Sequence, residues 1–130
     1  MKEPLFLTVQ QVTNLHKRSI ELFGGTHGLR DLAGLESATH QPQNVYDYSP
    51  GDLYSIAAAY AFHIGESQAC LDGNKRTAAA AALNFLRVNG EETVYDGSIL
   101  YSLLIGIAER TSSQSDLASY LQKAAGREDI

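Results

Sequence analysis

At 130 residues, with 44% hydrophobic and 19% charged residues, the chain is one domain's worth of sequence and has too much apolar content for a disordered protein. Its formal charge of −5 argues against broad attraction to DNA or anionic lipid. Its single cysteine, Cys70, excludes an internal disulfide framework and a cysteine-only zinc site. No apolar run reaches the roughly 20 residues needed to cross a bilayer, and the N-terminus lacks a signal-peptide layout. A single cytoplasmic domain over residues 1–130 is expected, with no membrane association and no direct nucleic-acid binding.

The periodicity is helical almost throughout. Thr8 and Gln11 have capping-box spacing, and Val12, Leu15, Ser19, Leu22 and Phe23 recur at helical intervals, which predicts a helix from Val9 to Phe23. Gly24-Gly25 ends it, and a glycine-rich loop runs through Gly28. Residues Gly34 to His40 suggest a short helix before Pro42, and Tyr46 to Gly51 reads as a surface connection. Asp52 is a plausible N-cap for a long helix reaching about Glu66. After a break over Gln68–Gly73, a second helix runs from about Asn74 to Asn89 and is closed by Gly90.

Both of these helices are rich in alanine, whose small side chain favours close helix packing as well as helix formation, so they are expected to be neighbours. Residues Glu91 to Gly97 suggest a turn or a short strand pair. Asp96 to Ala108 suggests a helix with Ile99, Leu100, Leu103, Leu104 and Ile107 on its apolar side. Ser113 with Asp116 could open a last helix ending near Gly126, and the final residues are expected to fray. The predicted fold is all-α.

The informative segment is Gln68-Ala69-Cys70-Leu71-Asp72-Gly73-Asn74-Lys75-Arg76-Thr77. Gly73 permits a turn at low steric cost, and the first N–H groups of the following helix lack intrahelical partners. With the positive end of the helix dipole they form an anion site, to which Lys75 and Arg76 add charge. Asp72 could ligate Mg²⁺ carried by a bound phosphate. A plain helix start with solvated charges has the same look, and no GxxxxGK[ST] phosphate loop is present.

The segment resembles the central motif of the Fic/Doc family, HPFxDGNKR, over Asp72-Gly73-Asn74-Lys75-Arg76-Thr77, and specifically that of its short Doc (death-on-curing) branch. The likeness extends to Phe6-Leu7-Thr8, Gly24-Gly25, Gly28-Leu29-Arg30-Asp31, Leu35-Glu36-Ser37-Ala38 and Asn84-Phe85-Leu86-Arg87-Val88-Asn89-Gly90, covering roughly residues 5 to 123. The resemblance implies an all-α bundle with the motif loop between two central Ala-rich helices. It implies transfer of phosphate or AMP from ATP, with Mg²⁺, onto a protein hydroxyl such as one on the elongation factor that delivers aminoacyl-tRNA. It also implies an antitoxin whose disordered segment folds on binding near the active loop. Without that partner the exposed apolar surface would allow self-association. Asp72 would hold Mg²⁺, and Gly73, Asn74, Lys75 and Arg76 would cradle phosphates.

The first half of the motif departs from the family pattern. Gln68 stands where the family has its histidine, Ala69 at its proline and Cys70 at its phenylalanine. A carboxamide can orient a hydroxyl but cannot accept its proton, and losing general-base help costs about 10²–10⁴ in rate. The expected outcome is an impaired transferase with Gln68 and Asp72 at its centre, or an inactive nucleotide- or antitoxin-binding module of the same fold. Glu66 and Asp72 are the nearest carboxylates. His63 is read as a helix-packing residue, and His16, His27 and His40 as surface or packing residues. Cys70 is expected to be an apolar filler, Arg30-Asp31 a buried pair fixing the glycine loop, and Thr77 a helper in capping its helix.

Overall fold

The computed structural model describes residues 3–48 and 52–126, and its order is α1 (Val9–Phe23), α2 (Leu32–Tyr48), α3 (Leu53–Ser67), α4 (Asn74–Val88), α5 (Gly97–Glu109) and α6 (Gln114–Ala124). The all-α expectation holds. Four helix starts follow the local chemistry of the sequence. Thr8 and Ser113 each form a reciprocal capping box, with Gln11 and Asp116 respectively, while Asp52 and Asp96 accept from Ser55 and Ser98.

Helix α3 is the axis of the bundle and packs against α2, α4, α5 and α6, with α1 laid over α4. Its contact with α4 is lined by residues too small to hold the backbones apart. Ala57, Ala58 and Ala61 of α3 and Ala78, Ala81 and Ala82 of α4 are all buried, and a methyl group on Gly65 would meet Ala78 Cβ at 3.7 Å. The expected pairing of the two Ala-rich helices is therefore present, as close packing. Larger side chains close the ends of the seam. Phe85 meets Tyr60 with ring centroids 5.2 Å apart, and the Tyr60 hydroxyl accepts from the Leu7 amide (2.8 Å), pinning the N-terminal segment to the core.

Several expectations need correction. The short helix before Pro42 is the first part of α2, which continues to Tyr48. Pro42 removes one backbone donor, but its ring is buried, and its fixed φ is compatible with a helix, so packing outweighs a penalty of about 3 kcal/mol. The expected connection over Tyr46–Gly51 shrinks accordingly. Tyr46 is half-buried on α2, edge-on to Phe6, while residues 49–51 lie outside the described residues.

No strand forms over 91–97 among the described residues. That segment is held by a Tyr54 hydroxyl–Glu91 contact and by the Val94 amide on the Ala124 carbonyl (2.8 Å). On α5, Leu100, Leu104 and Ile107 are buried whereas Ile99 is exposed. On α1, Leu22 and Phe23 are 65% and 69% exposed, so they face a groove and not the core. The expected fraying at 127–130 lies outside the described residues.

Burial pushes the Tyr60 phenol from its ordinary value of 10.0 up to about 12, with the Leu7 amide pulling slightly the other way. Below pH 10 the phenol is neutral in both states and contributes no pH dependence. Between pH 10 and about 12 the unfolded chain ionises first, so stability falls by an amount on the order of 2 kcal/mol. Urea unfolding from pH 9 to 12 is expected to show this loss in the wild type and a flatter profile in Tyr60→Phe. Ala78→Leu, which overfills the α3–α4 seam, is expected to cost about 1–3 kcal/mol in the same measurement at pH 7.

Candidate functional site

The loop between α3 and α4 leaves one helix and enters the next through two left-handed residues, Gln68 (φ 45°) and Gly73 (φ 73°). Glycine adopts this conformation freely, whereas glutamine does so at some cost, so Gln68 is held there by its surroundings. Ala69 and Cys70 plug the loop into the core. Their backbone is bound on both sides. The Ala69 carbonyl accepts from the amides of Arg30 (2.6 Å) and Asp31 (3.1 Å), and the Leu71 amide donates to the Gly28 carbonyl (3.1 Å). Asn74 closes the turn from within. Its Oδ1 accepts from the Cys70 amide and its Nδ2 donates to the Cys70 carbonyl, both at 3.0 Å.

The Asn74 side chain is thus tied to the loop by two hydrogen bonds, and its backbone N–H is left for an anion. Helix α4 starts at Gly73 without any side-chain cap, so its first amides remain as donors at the positive end of the helix. Lys75 is exposed beside them. Arg76 is partly tied back, with Nη2 donating to the Gly24 carbonyl (2.9 Å) and its guanidinium 5.7 Å over the Phe23 ring.

Asp72 is exposed, and the glycine loop shapes its surroundings. Asp72 Oδ2 accepts from the Thr26 amide (3.2 Å) and Oδ1 from the Gly73 amide (2.9 Å). A methyl group on Gly25 would lie 2.7 Å from Oδ2, and the Gly25 φ of 116° is one that glycine alone adopts readily, so two independent constraints require glycine there. Of the roughly four lone-pair positions on a carboxylate, two are used, leaving room for a cation. Among the described residues no group of three His, Cys, Asp or Glu side chains could cage a metal. An exposed carboxylate with lone pairs to spare is a group that could hold Mg²⁺, an ion that keeps waters and takes few protein ligands.

Two hollows meet at this loop. One, of about 410 Å³, is lined by Asp72, Gly73, Lys75, Arg76 and Tyr101, and the other, of about 260 Å³, by Glu66, Gln68, Lys75 and apolar groups of α3–α5. Asn74 and Lys75 border both. A third depression, an apolar groove of about 460 Å³ between α1, α4 and α5, includes Phe23, Leu83 and Leu100 and reaches Arg76. All six residues singled out in the sequence therefore lie on one continuous surface.

Other readings fare less evenly. His63 is half-buried, edge-on to Phe62 with centroids 5.0 Å apart, and burial lowers its pKa with Glu66 partly opposing. Cys70 is fully buried and its thiol is pushed up by burial, which fits an inert filler. Arg30 and Asp31 are exposed and form no buried pair; their amides hold the loop, and the Asp31 carboxylate accepts from Gly34 to start α2. Thr77 does not cap α4. It is buried, and neither its hydroxyl nor that of buried Ser19 has a hydrogen-bond partner among the described residues.

His27 and His40 are exposed, but His16 is buried, with Nε2 2.8 Å from the Asp72 carbonyl oxygen. Its place four residues after Val12 and four before Ile20, both buried, is the sequence signal that set it on the inner face.

The Fic/DOC family model matches residues 6–86. The chain is 31% identical over 121 residues to the protein kinase doc of Escherichia phage P1, covering 92% of this chain and 95% of that one. It is 36% identical over 104 residues to the toxin Doc of Mycolicibacterium smegmatis, covering 76% of this chain and 79% of that one. With the motif loop seated between two close-packed central helices and these matches spanning most of the sequence, the chain belongs to the Fic/Doc family.

Proposed function

We propose that the chain is a Doc-type toxin that transfers the terminal phosphate of ATP to a hydroxyl of a protein target, slowly, because Gln68 stands at the position of the family's histidine. The observation that carries this reading is the shared border of the two hollows. Lys75 and the amides of α4 serve the one suited to phosphates, while Gln68 lines the one where an attacking hydroxyl would enter. The kinase name of the phage P1 relative supports phosphate over AMP as the transferred group, and the resemblance supports an elongation factor as target.

In this reading Asp72 would hold Mg²⁺, which would supply neutralisation of phosphate charge. Lys75 and the α4 amides hold the β- and γ-phosphates. Gln68 orients the target hydroxyl, whose oxygen bonds to the γ-phosphorus as the β–γ bridging bond breaks. The hydroxyl proton passes late to the transferred group or to Glu66, which shares the hollow with Gln68. An antitoxin segment would bind as an amphipathic element along the apolar groove, with acidic groups meeting Arg18 and Arg76 at its edges. The second reading, a binding module without turnover, is favoured by Gln68 itself, because a carboxamide cannot act as base.

The two readings part in one experiment. The chain and its Gln68→His form are incubated with bacterial lysate and Mg-ATP labelled in turn at the α and γ phosphates. Weak γ-label transfer by the wild type, rising about 10²–10⁴-fold in Gln68→His, is the expected result. Label from the α position would mean AMP transfer. Silence from the wild type with transfer by Gln68→His would favour the binding module, and silence from both would remove the transferase reading. Asp72→Ala in the Gln68→His background is expected to lose the signal.

A further inference from the structure

The polar contact that reaches the loop from furthest away in sequence is that of His16. This residue lies on α1, is 3% exposed, and places Nε2 2.8 Å from the main-chain carbonyl of Asp72. A carbonyl oxygen only accepts, so Nε2 carries the proton and the ring is the donor. The bond secures one particular peptide group. The Asp72 carbonyl and the Gly73 N–H belong to the same rigid plane and point in opposite directions. With the carbonyl turned inward to His16, the Gly73 N–H is turned outward, where it meets Asp72 Oδ1 at 2.9 Å.

Glycine at 73 makes this peptide easy to flip, because both signs of φ are open to it. A flipped peptide would present its carbonyl oxygen to the hollow above α4 and repel an anion there. It would also aim an N–H at the buried imidazole.

We infer that His16 is a positioning residue which, by donating from Nε2 to the Asp72 carbonyl, locks the Asp72–Gly73 peptide with its N–H outward on the Asp72 carboxylate, so that no carbonyl oxygen of this peptide faces a phosphate bound above α4. The inference rests on the phosphate-binding reading of the loop. It makes α1 part of the site, although no side chain of α1 need touch a ligand there. The same bond sets the direction in which the Asp72 carboxylate leaves the backbone, and Thr26 and Gly25 complete that arrangement.

The test uses the full chain and three measurements. Imidazole ¹⁵N shifts of the wild type are expected to report an Nε2–H ring at His16, and an Nδ1–H ring overturns the inference without any variant being made. Mg-ATP and inorganic pyrophosphate are then titrated calorimetrically into the wild type, His16→Gln and His16→Leu, with thermal unfolding of each recorded alongside. Glutamine keeps an N–H donor at a similar reach and is expected to bind both ligands within about threefold of the wild type. Leucine has no donor and is expected to weaken both about 10–100-fold, the range typical of supporting residues around metal sites.

A folded leucine variant that binds like the wild type overturns the inference, as does a folded glutamine variant that loses binding tenfold or more. If leucine does not fold, the glutamine variant and the ring tautomer decide. If the wild type itself binds neither ligand, the phosphate-binding reading has failed and this inference falls with it. Normal wild-type binding with an unaffected leucine variant fails the inference alone.

Discussion

Packing α3 against α4 through alanine and glycine brings two helix axes so near that the chain must reverse direction within Gln68–Gly73. A turn this tight, with Ala69 and Cys70 buried in it, cannot meet its own backbone hydrogen-bonding needs. It borrows partners from elsewhere. Arg30 and Asp31 donate to Ala69, Gly28 accepts from Leu71, and His16 and Thr26 hold Asp72 by its carbonyl and its carboxylate. The segment from α1 to the start of α2 is therefore a brace for the loop. Removing a group that pairs with a buried amide or carbonyl would leave that partner unsatisfied, at a cost of about 1–3 kcal/mol.

That dependence explains which features are legible in the sequence. The helix starts at Thr8, Asp52, Asp96 and Ser113 are legible because each rests on side chains within three residues of its own cap. The pairing of α3 with α4 is legible from alanine content. Pro42 misleads because local chemistry argues for a stop there, and only packing of the buried ring carries the helix past it. The groove-facing Leu22 and Phe23 mislead for a related reason. Periodicity reports which residues share a face and is silent on whether another element covers it.

The site divides along the same line. Asp72, Gly73, Lys75 and Arg76 are visible as a short run because the turn glycine, the helix start and the charges beside it are adjacent in sequence. The actual role of the Asn74 side chain is not visible, since a reciprocal bond to the Cys70 backbone depends on the path the loop takes. His16 escapes notice because its partner is a carbonyl, a group carried by every residue and marked by none. Arg30-Asp31 stands out for its charges, yet it acts through its backbone amides.

The surviving cradle beside Gln68 is physically coherent. Phosphoryl transfer through a loose transition state develops charge on the equatorial and leaving oxygens, and the attacking oxygen gains little until late. In the proposed reading the groups that would answer this charge are the α4 amides, Lys75, Arg76 and a cation held by Asp72, and none of them would depend on the residue at 68. A histidine there speeds proton removal, a step that such a transition state makes least demanding. AMP transfer moves the reacting phosphorus to the α position and asks the same loop to hold a leaving pyrophosphate. In either transfer the proposed acceptor hydroxyl would lose its proton without a base at position 68, and a loose transition state at the γ-phosphorus would make that loss least costly.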